Sequence, residues 1–169
     1  MRRDLSAAAS VSLLCLLFTV VFLSAQAVAA GSANNPDARL KKLVSNLHWL
    51  GHDSFRVDAG GLVIYIDPFM LKADHPKADL ILTTHDHADH TSPEDIAKIR
   101  KPETVIVAIG KAAEKLTGDV RIIKPGDDIT LKGVGIKAVP AYNTNKFRSP
   151  GIPFHPKEAG HVGYILTVD

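Results

Sequence analysis

The sequence predicts an α/β layered fold, on three observations. Leu62–Ile66, Asp79–Thr84 and Thr104–Ala108 are short, nearly uninterrupted apolar runs rich in β-branched residues, the pattern of strands covered on both faces. Helix start and stop signals fall between them, at Ser92-Pro93 and Pro102 and again from Lys111 to Gly118. Further short strand patterns stand on either side, and strands interleaved with short helices make layers around one core.

The elements follow in chain order. Arg2 and Arg3, an apolar run from Val11 to Leu23, and small residues at Ala27-Val28-Ala29 have the layout of a secretory signal over residues 1–30. That layout predicts export to a periplasm or the medium. The strongly apolar part is shorter than the ~20 residues a spanning helix needs, so no membrane contact is expected once the signal is cleaved. Residues 31–39 are small and polar and read as a linker, with the domain at 40–169. Leu47–Leu50 and Ser54–Val57 read as strands around a Gly51 turn, and Gly60-Gly61 as the next turn. Ser92 is placed to cap a helix with Pro93 in its first turn and Asp95 as the third member of an approximate capping box. Val120–Ile123 reads as a strand, Ile129–Val139 as a hairpin, Pro140–Gly160 as a long loop, and Val162–Val168 as the last strand.

Composition excludes several kinds of chemistry. Cys15 is the sole cysteine and lies in the apolar leader, so disulfides, thiolate ligands and a cysteine nucleophile are not expected of the exported domain. Charge is nearly balanced, with 20 Lys+Arg against 18 Asp+Glu. The lysines are scattered, with no basic stripe interleaved with aromatics, which argues against a nucleic-acid partner. A small-molecule substrate is the expected partner. Oligomeric state is not legible.

Chemistry concentrates in Thr83-Thr84-His85-Asp86-His87-Ala88-Asp89-His90. Three imidazoles and two carboxylates occupy six positions at the end of a buried strand, where ligands of α/β sheets bind. In extended backbone His85 and His87 project to one side and can share an ion. Asp89 and His90 follow where the chain turns toward Ser92 and can aim at a neighbouring point. The pattern predicts one or two metal ions on nitrogen and oxygen ligands, zinc first, with iron or manganese as alternatives. The competing readings are solvated loop histidines or a passive metal trap. His48 and His75 have no supporting context and read as structural.

His85-Asp86-His87-Ala88-Asp89-His90 resembles the H-x-H-x-D-H signature of the metallo-β-lactamase superfamily at every fixed position. Trp49-Leu50-Gly51-His52-Asp53-Ser54-Phe55 and Ile66-Asp67-Pro68-Phe69 resemble its ascorbate-phosphate-lactonase-like branch. Ala141-Tyr142-Asn143 and Phe154-His155-Pro156-Lys157 resemble uncharacterised metal-dependent hydrolases. The resemblance implies an αββα sandwich, of which this chain carries the N-terminal part. It also implies hydrolysis of a lactone, amide or phosphoester by a metal-bound hydroxide.

By the same resemblance His85 and His87 bind the first metal, and Asp89 and His90 the second. Asp89 also orients the attacking water. Asp67 positions the histidine loop through hydrogen bonds, although a strand-end turn before Pro68 would explain it equally well. For the third histidine of the first metal His155 is preferred over His161, with Asn143 a weaker candidate. His52 is a candidate for the pocket lining or a structural turn residue. The family's bridging acidic residue and last histidine fall beyond Asp169. About 140 residues after the leader are fewer than the ~200–250 such a domain commonly takes. The expectation from this reading is a truncated chain with absent or very weak hydrolysis. The alternative functions are an inactive remnant or a non-catalytic envelope metal-binding module.

Overall fold

The computed structural model describes residues 36–168, which fall into two units, one ending at Ser45 and one beginning at Asn46. In the first unit, α1 (Pro36–Ser45) has Asp37 in its opening turn and Lys42 in its closing turn, each on the side that suits the helix dipole. Residues 36–39, read as linker from their small polar composition, form the first turn of this helix, where proline and aspartate are both well tolerated. The predicted signal segment lies outside the described residues. Among the described residues no helix is long and apolar enough to cross a membrane.

The second unit is built on a six-stranded mixed sheet. β1 (Leu47–Gly51), β2 (Ser54–Ala59) and β3 (Leu62–Ile66) run antiparallel as a meander. β4 (Leu80–Leu82), β5 (Val105–Ala108) and β6 (Asp119–Ile122) then continue parallel, in the spatial order β1-β2-β3-β4-β5-β6. The parallel strands require crossovers, which carry α2 (Pro93–Ile99) and α3 (Gly110–Ala113). A second, antiparallel sheet has the order β11-β8-β7, from β7 (Asp128–Leu131), β8 (Val134–Pro140) and β11 (Val162–Thr167).

Alternation along the central strands sorts the core into two layers. Ile64, Leu80, Leu82, Val105 and Val107 face one way and pack with Val134, Ile136, Ala138 and Val162 of the second sheet. Tyr65, Ile81 and Ile106 face the other way and pack with Ile96 and Ile99 of α2. Each of these strands is therefore covered on both faces, which is why it reads as a continuous apolar run. Fully burying one such aliphatic side chain contributes roughly 1.5–3 kcal/mol.

Three elements differ from the sequence expectation. β4 is limited to Leu80–Leu82. The Asp79 carboxylate accepts the Val63 N–H at 2.9 Å, and the Thr84 N–H donates to the Asp67 carboxylate at 2.7 Å. Asp79 and Thr83 still bond the neighbouring strands through their backbone, Asp79 N–H to Val63, Val105 N–H to Asp79 and Thr83 N–H to Val107, and only at Thr84 does the N–H turn to a side chain. α3 ends at Ala113, and the chain continues to Leu116 on tighter i→i−3 bonds, Lys115 N–H to Ala112 and Leu116 N–H to Ala113. The segment from Pro140 to Gly160, read as a loop, holds a small hairpin of β9 (Phe147–Ser149) and β10 (Ile152–Pro153) and a 3₁₀ turn at Lys157–Ala159. Its short strands, broken by Pro150-Gly151, were too brief to show a period.

Candidate metal centre

The histidine loop leaves β4 at its carboxyl end and folds on itself before α2. It is bent rather than extended, contrary to the argument that predicted His85 and His87 on one side. Turn bonds do the work instead. The Thr91 hydroxyl donates to the His85 carbonyl at 2.6 Å, and the Thr91 and His90 N–H groups both donate to the His87 carbonyl, at 2.8 and 3.0 Å. The outcome for the side chains is the same, with His85 Nε2 3.2 Å from His87 Nδ1.

His155 reaches this pair from the loop between β10 and β11. One nitrogen from each of His85, His87 and His155 lies within 4.8 Å of the other two. Asn143 fixes the third ring. Its side-chain carbonyl accepts the His155 backbone N–H at 3.1 Å and lies 3.0 Å from His155 Nδ1, while its own N–H donates to the His155 carbonyl at 2.9 Å. Asn143, weighed as a weaker ligand, is thereby spent on orienting His155, and Nε2 of that ring is left to face the cluster. His161 is buried beside them, its ring 4.8 Å from that of His85, but its Nε2 faces the Asp86 carboxylate at 3.6 Å and its Nδ1 has no partner. The structure groups His155 with His85 and His87, while His161 lines the same cleft as His85 and His155 without joining that group.

Burial and crowding favour the neutral form of His85, His155 and His161. Burial, with the neighbouring His90, His161, His87 and His155 rings, pushes His85 down to about 3. Burial and the same kind of crowding lower His155 and His161. Neutral imidazoles with a free lone pair are what a divalent ion needs.

Asp67 sits at the end of β3 with φ +46 and is buried. Its carboxylate accepts the Thr84 hydroxyl at 2.6 Å and lies 2.8 Å from His90 Nδ1. Burial opposes protonation of His90, but the hydrogen bond to Asp67 and the charges of Asp67, Asp89 and Asp53 outweigh it and raise its pKa. With Nδ1 engaged, Nε2 faces Asp53 at 3.7 Å and Asp89 at 3.8 Å. His52, on the β1–β2 turn, places Nε2 3.5 Å from Asp89. His52, Asp53 and His90 form a second group of donors within 4.8 Å of one another. Asp53 was not singled out in the sequence. Its one signal was adjacency to His52 in a turn, because only the hairpin brings it to residues more than thirty positions away. His48 is a cross-strand partner of Asp58 at 3.0 Å, and His75 packs edge-on against Tyr65.

The chain is 33% identical over 127 residues to the UPF0173 metal-dependent hydrolase of Methanoculleus marisnigri, covering 73% of this chain and 53% of that protein. It is 30% identical over 116 residues to a UPF0173 metal-dependent hydrolase of Methanopyrus kandleri, covering 61% and 49%. A metal-dependent hydrolase from Parabacteroides distasonis, known by crystal structure, superposes with a TM-score of 0.62 at 37% identity, over 73% of this chain and 56% of that one. The diiron β-hydroxylase CmlA of Streptomyces venezuelae shares the fold at a TM-score of 0.53 and 15% identity, over 73% and 27%. The chain spans about half the length of the curated relatives it matches. Residues 46–169 match the beta-lactamase superfamily domain, and with the α/β fold and the H-x-H-x-D-H loop described above this chain belongs to the metallo-β-lactamase superfamily.

Proposed function

We propose that the second unit carries a metal-dependent hydrolytic centre in which His85, His87 and His155 hold a divalent ion, zinc in the first instance. The single observation behind this reading is the convergence of three nitrogen donors from two separate loops, His85 and His87 within 3.2 Å, with His85 and His155 lining a cleft. A divalent ion held there would supply Lewis-acid polarisation of a carbonyl or phosphoryl oxygen and would acidify water. The protein's own residues do the rest. Asn143 fixes the orientation of His155, Asp67 that of His90, and Thr91 closes the loop that carries His85 and His87. Asp89, half-exposed beside His52 and His90, is placed to orient a water and hold its proton. The substrate is a small lactone, amide or phosphoester entering the cleft beside Tyr142. Residues 1–30 act as a cleaved export signal, which N-terminal sequencing of exported protein tests.

The functional test is a panel of lactone, amide and phosphodiester substrates, assayed with metal-stripped chain, zinc-loaded chain and zinc-loaded His85→Ala/His87→Ala. Turnover that needs zinc and is lost in the double variant supports the reading. Zinc bound without turnover on any substrate supports an inactive remnant or a non-catalytic metal-binding module instead.

A further inference from the structure

We propose that the β9–β10 hairpin is a membrane-surface contact, which seats Phe147, Ile152 and Phe154 in the interface of an anionic lipid bilayer while Lys146, Arg148 and Lys157 meet its phosphates. The expectation of no membrane contact rested on the length of an apolar run, which decides spanning and not surface binding.

The hairpin belongs to neither of the larger sheets and is open to solvent. β9 and β10 pair with each other alone, and every residue of β9 is exposed. Gly151 takes the positive φ of +76 that a tight turn after Pro150 requires. Two short strands have no core of their own in which to bury apolar side chains. Phe147, Ile152 and Phe154 are accordingly each more than half exposed, and Tyr142 at the stem is 43% exposed. Single exposed apolar residues need no explanation, but three on one small hairpin make a patch of the kind that marks an interaction surface.

Charge identifies the partner. From Ala141 to Lys157 there is no Asp or Glu, against Lys146, Arg148 and Lys157, in a chain whose charges nearly balance. All three cations are exposed. Lys157 Nζ stands over the Tyr142 ring at 5.8 Å, and Lys146 and Arg148 have no side-chain partner among the described residues. Each lysine or arginine beside an anionic lipid surface favours binding by about fivefold. Aromatic side chains between such cations match the boundary of headgroup and acyl chain. A protein partner fits less well, because a specific interface takes about 800 Å² from each side, more than strands of two and three residues present. A second copy would set these cations against cations. The stem of the hairpin is the clasp between Asn143 and His155, and the Phe154 N–H donates to the Lys146 carbonyl at 3.3 Å. A three-residue strand spans about 10 Å, so a docked hairpin holds the cleft lined by Tyr142 and His155 close to the headgroups.

The test is flotation of the full chain with phosphatidylcholine vesicles made with and without phosphatidylglycerol. Wild type, Phe147→Ser/Ile152→Ser and Lys146→Gln/Arg148→Gln are compared, with circular dichroism to verify folding. A second readout is local to the hairpin and needs neither double variant to fold. Phe147→Trp emission is followed on vesicles with brominated acyl chains, against the native Trp49 of wild type as background. The expected result is binding of phosphatidylglycerol vesicles about tenfold tighter than of phosphatidylcholine alone, a preference that fades as salt is raised. Each double variant should weaken that binding about tenfold, and the Phe147→Trp emission should shift to the blue and be quenched by bromine. Double variants that bind within about twofold of wild type overturn the proposal. Emission of Phe147→Trp that stays unquenched on vesicles retaining the chain also overturns it, because another segment then holds the protein. Equal binding to both vesicle compositions overturns the anionic partner, and no binding to either overturns the whole.

Discussion

Asp67 and Asn143 decide whether the imidazoles of the centre are held or loose. Asp67 is buried and accepts from Thr84 twice and from the His90 ring. Replacing it with Asn substitutes an amide N–H₂ for one acceptor and leaves a buried donor facing other donors. That should cost about 1–3 kcal/mol of stability, read as a lower urea midpoint. Asn143→Ala should free the His155 ring while leaving its imidazole in place, and losing a partner that orients a ligand costs about 10–100-fold in metal affinity. Competition with a chromophoric zinc chelator measures it. An unchanged affinity would show that Asn143 supports only its loop. At this scale the histidine run was legible because its members are neighbours in sequence. For a third histidine the sequence offered only a choice between His155 and His161, since which one approaches the pair depends on Asn143 and on the course of a loop. Asp53 was not legible, because a lone Asp in a turn has no pattern until the hairpin folds.

Asp95 shows how an element's end can serve two neighbours. The Ser92 hydroxyl accepts the Asp95 N–H at 3.2 Å, as a capping residue should. The Asp95 carboxylate, however, takes the N–H groups of Met70 and Leu71 and the Lys98 ammonium, so α2 is pinned to the turn after β3 that also braces the site. Burial raises the Asp95 pKa, but Lys98, Ser92 and the two backbone donors outweigh it and hold it below its ordinary 3.8. A folded-state pKa below the unfolded one means stability that is present above about 3.8 and lost as pH falls through the lower folded value. Urea midpoints of wild type and Asp95→Asn should therefore differ most at pH 5–7 and converge below pH 4. A gap that stays constant down to pH 3 would mean the carboxylate charge contributes nothing. The cap and Pro93 were readable from the sequence, as were the strands whose apolar runs are continuous. The partners of Asp95 were not, since they lie some 25 positions upstream, and the β9–β10 hairpin was not, since three-residue strands carry no period.

Across the molecule the site depends on how two sheets meet. The Tyr164 hydroxyl of β11 donates to the Thr83 carbonyl at 2.8 Å, and the Val162 N–H donates to Thr84 at 3.1 Å, so the second sheet is bonded to the strand end that carries the histidine loop. Burial pushes the Tyr164 phenol up, which keeps that donor protonated. Leu82 lies wholly buried between the sheets, one turn of chain from His85. Leu82→Ala should destabilise by about 2–5 kcal/mol, measured by urea unfolding, and should weaken metal binding through the loop it anchors. The layered fold was predictable from runs buried on both faces, and the pairing of β11 with β8 followed only from the folded register. The loop histidines and His155 are proposed to share one ion. Zinc content after equilibrium dialysis, by plasma mass spectrometry, tests it most directly on wild type, His85→Ala/His87→Ala, His155→Ala and His161→Ala. Tightly bound zinc in wild type and in His161→Ala, with the loss of one equivalent in His85→Ala/His87→Ala and in His155→Ala, is the predicted result. Zinc content unchanged in His85→Ala/His87→Ala, or lost in His161→Ala and kept in His155→Ala, would contradict it.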